Sequence, residues 1–216
     1  MDFNIKNKTV ILCAKRASGK SELMRYILIK SKGMFKKVFL ICPTEKITHF
    51  YKGLVDDKNI FEEYNDEWIT KLLNEMSKVN EGKRDKDSAH VLLILDDCCS
   101  DTAFHHSKTI KQLFCKGRHY KITIVILCQY PYHVPPICRV NCDFIAVGQL
   151  NTQGIQILTQ EFLMGNINKK DFLKLYYNST NNYKFLLINN NSSSDNNNLD
   201  EIYAVLRCPP QYVKNN

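Results

Sequence analysis

The chain is 216 residues long, and its 44% hydrophobic and 24% charged content is that of an ordinary globular domain with a sizeable core. Its longest apolar runs, VLLIL at 91–95 and IVILC at 124–128, are too short to span a bilayer, and its N-terminus is polar, so we expect neither a membrane span nor secretion. The net charge of +8 favours a polyanionic partner such as nucleic acid without establishing one. The nine cysteines include no C-x-x-C pair, which favours free thiols over a zinc site.

Short apolar runs predict β-strands that alternate with helices along the first two thirds of the chain. The strand-like runs occupy 9–13, 37–44, 90–97, 121–129 and 142–148. Helical patterns fill 21–33, 66–79 and part of 102–120. This alternation predicts an α/β fold with a mostly parallel sheet flanked by helices. Ligands of such sheets bind beyond the carboxyl ends of the strands, where we expect the following polar residues to gather: Lys15–Ser21, Thr44, Asp96, Asp97 and Gln129.

The last third of the chain has a different pattern. Two helical stretches, QGIQILTQEFL and KKDFLKLYYNS, precede two predicted strands at 183–188 and 201–206. The Asn/Ser-rich stretch between these strands cannot bury apolar surface and is predicted to be a mobile loop. We therefore predict a single domain over 1–216, with a core at about 8–150 and a helical and β-hairpin-like extension at about 151–216.

A candidate phosphate-binding loop lies in the segment ILCAKRASGKSEL, residues 11–23. The motif G-x-x-x-x-G-K-[ST] is met at its last three positions, whereas Ala14 replaces the first glycine. The segment follows a predicted strand and opens a predicted helix, which argues against a chance match. Backbone N–H groups and a helix N-terminus would hold the phosphates, and alanine is acceptable if the first position does not need a positive φ. The candidate nucleotide-binding residues are Ala14, Lys15, Arg16, Ala17, Ser18, Gly19, Lys20, Ser21 and Glu22.

Two carboxylates follow the buried-type strand VLLIL. Asp96 is placed to hold Mg²⁺ together with the Ser21 hydroxyl, and Asp97 is placed to orient the water that attacks the terminal phosphate. Both residues have a simpler interpretation as solvated turn residues or helix caps. The predicted ligands are thus ATP and Mg²⁺.

Three further residues surround the strand at 121–129. Gln129 ends it and is a candidate sensor of the γ-phosphate or of the attacking water, although a turn hydrogen bond beside Tyr130-Pro131 is the alternative. Arg118 and Arg139 flank the strand, and either is a candidate arginine finger acting on a neighbouring subunit's ATP. The alternative for each arginine is an ordinary surface cation.

The segments GRHYKITIVILCQYP (117–131) and VPPICRVNCDFI (134–145) resemble the packaging ATPases of large double-stranded DNA viruses and virophages, including the poxvirus packaging ATPase. This group belongs to the FtsK–HerA superfamily of P-loop ATPases. The resemblance covers about residues 8–150 and rests on a G-R-H, strand, Q-x-P, P-P-x-x-R-x-N-x-D pattern. Its members here are Gly117, Arg118, His119, Gln129, Pro131, Pro135, Pro136, Arg139, Asn141 and Asp143.

The resemblance implies a RecA-like (ASCE) core that forms a homo-oligomeric ring and drives double-stranded DNA, independently of its sequence, into a capsid. It implies ATP rather than GTP, Gln129 as the sensor, and an arginine finger from the next subunit. Capsid or portal-vertex proteins are the implied partners, and the virion or the viral factory in the host cytoplasm is the implied location. Ala14 and Asp97 depart from the usual glycine and glutamate.

Two other functions remain open from the sequence. A P-loop kinase shares the phosphate loop, but we find no compact arginine-rich lid. A non-catalytic nucleotide-binding virion module would bind ATP without turnover, and an intact Lys20, Ser21 and Asp96 argue against it. For a motor, DNA contacts are predicted in the loop 81–87 and around Lys108, Lys111, Lys116, Arg118 and Lys121.

Overall fold

The computed structural model describes residues 4–99, 101–192 and 198–212. Its eight strands form one sheet in the order β3-β2-β4-β5-β1-β6-β7-β8. The strands are β1 (Thr9–Cys13), β2 (Lys37–Ile41), β3 (Ile60–Phe61), β4 (Val91–Asp96), β5 (Ile122–Cys128), β6 (Phe144–Val147), β7 (Lys184–Asn189) and β8 (Tyr203–Arg207). The six strands from β1 to β6 run parallel, so their carboxyl ends meet at one edge of the sheet.

The helices cover both faces of this sheet. They are α1 (Lys20–Lys30), α2 (Glu45–Thr48), α3 (Asp66–Asn80), α4 (Thr102–His106), α5 (Lys108–Lys116), α6 (Pro136–Val140), α7 (Thr152–Glu161), α8 (Lys169–Ser179) and α9 (Leu199–Ile202). Successive side chains of a strand point to opposite faces, so β1 contributes side chains to two hydrophobic clusters. Leu12 packs with α1 on one face, whereas Ile11 belongs to the cluster of α3, α5, α7 and α8 on the other. The predicted mostly parallel sheet flanked by helices is confirmed.

The position of β5 determines which residues can meet. This strand pairs with β1 on one side and with β4 on the other, with Cys13 opposite Cys128 and Asp96 opposite Leu127. The chain segments that follow β1, β4 and β5 therefore leave the sheet side by side. These are the segments that carry the phosphate loop, the two aspartates and Gln129.

The C-terminal extension continues the same sheet. β7 pairs antiparallel with β6 and β8 pairs antiparallel with β7, so the predicted hairpin strands form an edge of the eight-stranded sheet. Part of the predicted mobile loop, residues 193–197, lies outside the described residues. Among the residues that are described, no helix combines the length and apolar content needed to cross a membrane.

Two local features differ from the predicted elements. The helical stretch in 102–120 is broken at Ser107, whose backbone is not helical and whose Oγ accepts a hydrogen bond from Ile110 N at 2.9 Å. Serine competes with helical hydrogen bonding in this way and starts α5 as its cap. Strand β3 was not predicted, because two residues are too short to show a period.

Candidate active site

The phosphate loop connects β1 to α1 at the carboxyl edge of the sheet. Gly19 directly precedes Lys20, the first residue of α1, and has a φ of +84°, in the left-handed region that glycine adopts without strain. Ala17 also has a positive φ, 58°, which costs a non-glycine residue about 1–3 kcal/mol and is found mainly where surrounding structure or function requires it. The backbone N–H groups of the first turn of α1 open onto this loop, which is the arrangement that binds anions.

The replacement of the first motif glycine has a structural explanation. Ala14 is fully buried, its N–H donates to Cys128 O at 3.2 Å, and it is not among the residues with positive φ. The methyl group lies against Gly148 at the end of β6, where an added Cβ would come within 2.8 Å of the Ala14 Cβ. Alanine fits at position 14 because a glycine, Gly148, directly follows the neighbouring strand β6.

The Lys20 side chain folds back along the loop. Its Nζ donates to Ala14 O at 2.6 Å and to Lys15 O at 3.2 Å, and the residue is 9% exposed. The ammonium group is therefore held at the mouth of the loop, where a phosphate oxygen can exchange for a backbone carbonyl as its partner. The Lys15 N–H donates to Gln149 O at 2.9 Å, which ties the loop to the segment after β6.

The other predicted loop residues surround this mouth. Lys15, Arg16 and Ala17 are exposed, and Ser18 is half-buried. Ser21 and Glu22 lie in the first turn of α1 and are also half-buried.

Asp96 lies directly beside the loop. Ser21 Oγ is 3.4 Å from Asp96 Oδ2, and the Tyr51 hydroxyl donates to the same oxygen at 2.7 Å. Burial raises the pKa of Asp96 to about 6, against the opposing effect of the Tyr51 hydrogen bond. A hydroxyl and a carboxylate are oxygen ligands of the kind that Mg²⁺ prefers, so the donor set of Ser21 and Asp96 fits this ion.

Tyr51 is a site residue that sequence reasoning missed. It is 1% exposed and follows α2, forty-five positions before the aspartate that it contacts. It belongs to no motif, and its segment shows only a mixture of helical patches. Tertiary folding alone brings its hydroxyl to Asp96.

Asp97 and Gln129 form a second pair at the same edge. Gln129 Nε2 lies 3.2 Å from Asp97 Oδ1 and 3.1 Å from Oδ2. Asp97 is exposed and has a φ of 58°, while its N–H donates to Leu127 O at 3.2 Å. The left-handed backbone turns the carboxylate out of the line of β4 and towards Gln129. The chain thus presents an exposed carboxylate, oriented by an amide, next to the buried Asp96.

Arg118 lies at the opposite edge of the sheet. It belongs to the turn Gly117–Tyr120, which precedes β5, and the seven residues of β5 place it roughly 20 Å from the phosphate loop. The residue is exposed, and its guanidinium makes no hydrogen bond or ion pair within the described part of the chain. It cannot reach the phosphate loop of its own chain.

Arg139 has the opposite environment. It is 6% exposed, and its Nε and Nη2 donate to the two carboxylate oxygens of Glu161 at 2.7 and 2.6 Å. Its Nη1 donates to Val134 O at 2.6 Å and to Pro131 O at 3.3 Å. This geometry does not support the expectation that Arg139 acts as an arginine finger, because the guanidinium is engaged inside its own chain.

Comparisons with known proteins agree with this architecture. Over 147 residues, the chain is 29% identical to the uncharacterized protein 075L of Invertebrate iridescent virus 6, covering 68% of this chain and 56% of the relative. It is 27% identical to the uncharacterized protein L437 of Acanthamoeba polyphaga mimivirus over 164 residues, covering 71% of this chain and 57% of that relative. The chain thus spans about half the length of the curated relatives it matches.

Solved structures support the fold. The genome packaging NTPase B204 from Sulfolobus turreted icosahedral virus 2, in complex with AMPPCP, superimposes with a TM-score of 0.64 at 16% identity, covering 94% of this chain and 98% of that one. The type VII secretion ATPase EccC of Thermomonospora curvata gives a TM-score of 0.60 at 11% identity, covering 89% of this chain and 23% of that one. These TM-scores show a common fold.

The resemblance drawn from the G-R-H and P-P-x-x-R-x-N-x-D segments is confirmed at the level of the family. The model of the family described as Poxvirus A32 protein matches residues 3–202 of the 216-residue chain. This chain belongs to the Poxvirus A32 protein family.

Proposed function

We propose that this chain is the subunit of an ATP-hydrolysing motor that moves double-stranded viral DNA into a capsid. One observation carries the proposal: Lys20, the Ser21–Asp96 contact and the Asp97–Gln129 pair lie together at the ends of three adjacent parallel strands. Family membership and the fold of the B204 genome packaging NTPase support the viral context.

The residues divide the chemistry of hydrolysis among them. The phosphate loop and Lys20 bind the triphosphate through backbone N–H groups and one positive charge. Ser21 and Asp96 would hold Mg²⁺, which would neutralise charge on the phosphate oxygens. Asp97 accepts a proton from the attacking water, and Gln129 fixes the orientation of the Asp97 carboxylate through its amide.

The exposed Asp97 supports hydrolysis over phosphate transfer to a small molecule. A water molecule reaches this carboxylate directly from solvent, whereas a kinase must exclude water and close over its acceptor. The same pair argues against a passive nucleotide-binding module, because nucleotide binding alone requires neither Asp97 in a strained backbone nor its contact with Gln129.

The position of Arg118 supports a homo-oligomeric ring. Because this arginine cannot contact a nucleotide bound to its own phosphate loop, we infer that it contacts one bound to a neighbouring subunit and that the active site is completed across an interface. Rings of this kind would act at a capsid or portal vertex, in the virion or the viral factory.

Basic segments at the amino edge of the sheet are the proposed DNA surface. The loop 81–87 and the turn before β5 are joined by Lys121, whose Nζ lies 2.8 Å from Asp85 Oδ1. Lys83, Arg84 and Lys116 are exposed beside this contact. Contacts from such residues go to phosphates and are independent of DNA sequence.

The test is phosphate release from ATP with and without duplex DNA, over a range of protein concentrations. We expect hydrolysis that rises with DNA and more than linearly with protein, and that falls about 10²–10³-fold in Lys20→Met. Asp97→Asn tolerates the left-handed backbone and should bind ATP while losing about 10²-fold or more of hydrolysis. Lys32→Met and Asp57→Asn, at exposed positions away from the site, are the matched controls.

Two results would contradict the proposal. Transfer of the γ-phosphate to a nucleoside without free phosphate release would identify a kinase. ATP binding with no turnover, in the presence of Mg²⁺ and duplex DNA at every protein concentration, would identify a passive module.

A further inference from the structure

The two sides of the phosphate loop differ in what they offer a nucleotide. On the β5 and β4 side lie Asp96, Asp97 and Gln129, the groups that act on the terminal phosphate. On the other side of β1 lie β6 and β7. A triphosphate that runs across the end of β1 with its γ-phosphate towards the aspartates therefore directs its nucleoside towards β6 and β7.

A cavity lies at that position. It has a volume of about 270 Å³ and is bounded by the phosphate loop on one side and by the connector between α8 and β7 on the other. This volume is below the ~300–1,000 Å³ of pockets that enclose a complete drug-sized ligand, and it suits one part of a nucleotide. The lining residues are Lys15, Ala17, Ser18, Gln149, Thr180, Asn182, Tyr183 and Lys184.

Tyr183 provides an aromatic surface in this cavity. The residue is 68% exposed, and its ring atom Cδ1 lies 3.4 Å from the position that a Cβ on Gly19 would take. Asn182 and Tyr183 have consecutive φ values of 51° and 58°. A left-handed backbone is costly for tyrosine and occurs mainly where surrounding structure or function demands it. Here it holds the ring against the loop that would bind the phosphates, without burying the ring.

Two amide side chains complete the surroundings. Gln149 and Asn182 are exposed, and neither side chain hydrogen-bonds to any residue in the described ranges. The backbone of Gln149 is nevertheless fixed, because its carbonyl accepts the Lys15 N–H at 2.9 Å. An amide offers a donor and an acceptor side by side, which is the pattern that pairs with the edge of adenine.

We propose that the α8–β7 connector is the base-binding half of the nucleotide site, with Tyr183 stacking on the purine and Gln149 and Asn182 contacting its edge. The proposal rests on the proposed function, since it requires a triphosphate in the phosphate loop. It gives the C-terminal extension a direct part in nucleotide binding.

The test compares two ligands that differ only in the presence of the nucleoside. Binding of AMPPCP and of inorganic tripolyphosphate, each with Mg²⁺, is measured by calorimetry for the full chain. Tyr183→Ala should weaken AMPPCP binding by about 5- to 150-fold, the usual effect of losing one base–aromatic stack, and should leave tripolyphosphate binding unchanged. Tyr183→Phe should bind both ligands like the wild type.

Further variants separate the ring from the backbone and from general effects. Tyr183→Asn removes the ring but suits a left-handed backbone, so it should behave like Tyr183→Ala. Tyr177→Ala changes another exposed tyrosine, on α8 outside the cavity, and should change neither affinity. Lys20→Met should weaken the binding of both ligands.

The outcomes distinguish the two proposals. Equal AMPPCP affinity in the wild type and in both ring-removing variants would overturn the base site. An equal loss of affinity for AMPPCP and for tripolyphosphate would also overturn it, because Tyr183 would then affect phosphate binding through its contact with Gly19. In either case Lys20→Met still tests the phosphate loop. A wild type that binds neither ligand would overturn the proposed function, and the base site with it.

Discussion

The segments on either side of β5 each carry an arginine of the family pattern, and the structure gives the two arginines opposite environments. In the turn before β5, Arg118 is exposed and unpaired within the described residues. In the segment after β5, Arg139 is buried and its guanidinium makes four hydrogen bonds. The same residue type is available for contact in one segment and holds the chain together in the other.

The two environments differ because the chain provides hydrogen-bond acceptors for one guanidinium and not for the other within the described residues. A guanidinium carries five N–H donors, and a buried one must find acceptors for them. The segment after β5 supplies two backbone carbonyls and α7 supplies Glu161 to Arg139, whereas no described residue supplies a side-chain acceptor to Arg118. A group that the monomer leaves unpaired at a fixed position is a candidate for contact between subunits.

The largest effect is expected for Arg118→Ala. As an arginine finger, Arg118 should contribute about 10³–10⁵ to the rate of hydrolysis, and its loss should leave the melting temperature unchanged because the side chain is exposed. The measurement is phosphate release with duplex DNA, with Lys32→Ala as an exposed cationic control away from the site and from the proposed DNA surface.

Mixing experiments test whether Arg118 acts on a neighbouring subunit. Arg118→Ala retains its own loop and aspartates, and Asp97→Asn retains its arginine, so a mixed ring contains some complete sites. Recovery of activity on mixing the two inactive variants is expected. If the mixture shows only the sum of the two residual activities at every mixing ratio of the variants, Arg118 does not act on the ATP of a neighbouring subunit.

Arg139→Ala should mainly reduce stability. Removing the guanidinium leaves the carbonyls of Pro131 and Val134 without their donor, which costs about 1–3 kcal/mol of unfolding free energy for each buried acceptor. Glu161 also loses its ion pair, but its carboxylate is partly exposed and can be solvated. Urea denaturation followed by tryptophan fluorescence measures the loss. Arg139→Lys should recover only part of it, because lysine cannot make the bidentate contact.

A double variant sharpens this result. If the cost comes from the uncompensated carboxylate, Arg139→Met with Glu161→Gln should be more stable than Arg139→Met alone. A stable Arg139→Ala variant that has lost hydrolysis would instead favour a direct part in catalysis for Arg139.

A smaller effect is expected for Asp143→Asn, at the end of the segment after β5. Asp143 Oδ2 accepts from Thr9 N at 2.8 Å and Thr9 Oγ1 at 2.9 Å, and Oδ1 accepts from Asn191 Nδ2 at 3.0 Å and Lys8 Nζ at 3.3 Å. The amide cannot accept all of these bonds, so we expect a loss of about 1–3 kcal/mol. Asp171→Asn, an exposed carboxylate on α8, is the control.

The same residue predicts a pH dependence. Burial raises the pKa of Asp143, but the hydrogen bonds from Thr9 and Asn191 and the charge of Lys8 outweigh it, so the net pKa is below that of an ordinary aspartate. The stabilisation is therefore present above the unfolded pKa of about 4 and is lost as pH falls through the folded value. The gap in stability between wild type and Asp143→Asn should narrow below about pH 4. A constant gap down to pH 2 would argue against this linkage.

Much of the arrangement was predictable because its determinants are local. The apolar runs show that strands and helices alternate along the chain, and residues that end parallel strands share an edge of the sheet. The prediction that the phosphate loop, Asp96, Asp97 and Gln129 gather there needed no knowledge of the packing. The roles of these residues remain predictions that the hydrolysis experiments test.

Contacts between distant segments were not predictable in the same way. Tyr51 reaches Asp96, and Tyr183 reaches Gly19, across long stretches of chain with no shared pattern. Ala14 in place of glycine became understandable only with Gly148 beside it. Each of these contacts depends on which strands are neighbours in the sheet, and strand order is not contained in periodicity.

By itself, the sequence determined the type of protein: alternating strands and helices, a phosphate loop between the first pair, and acidic and amide residues at strand ends. These features follow from backbone preferences and from spacing along the chain. The tertiary structure decided which of two similar arginines is engaged and which has no partner among the described residues, and which aromatic rings border the site. Such questions depend on what else surrounds a side chain, and that is settled only when the sheet has assembled.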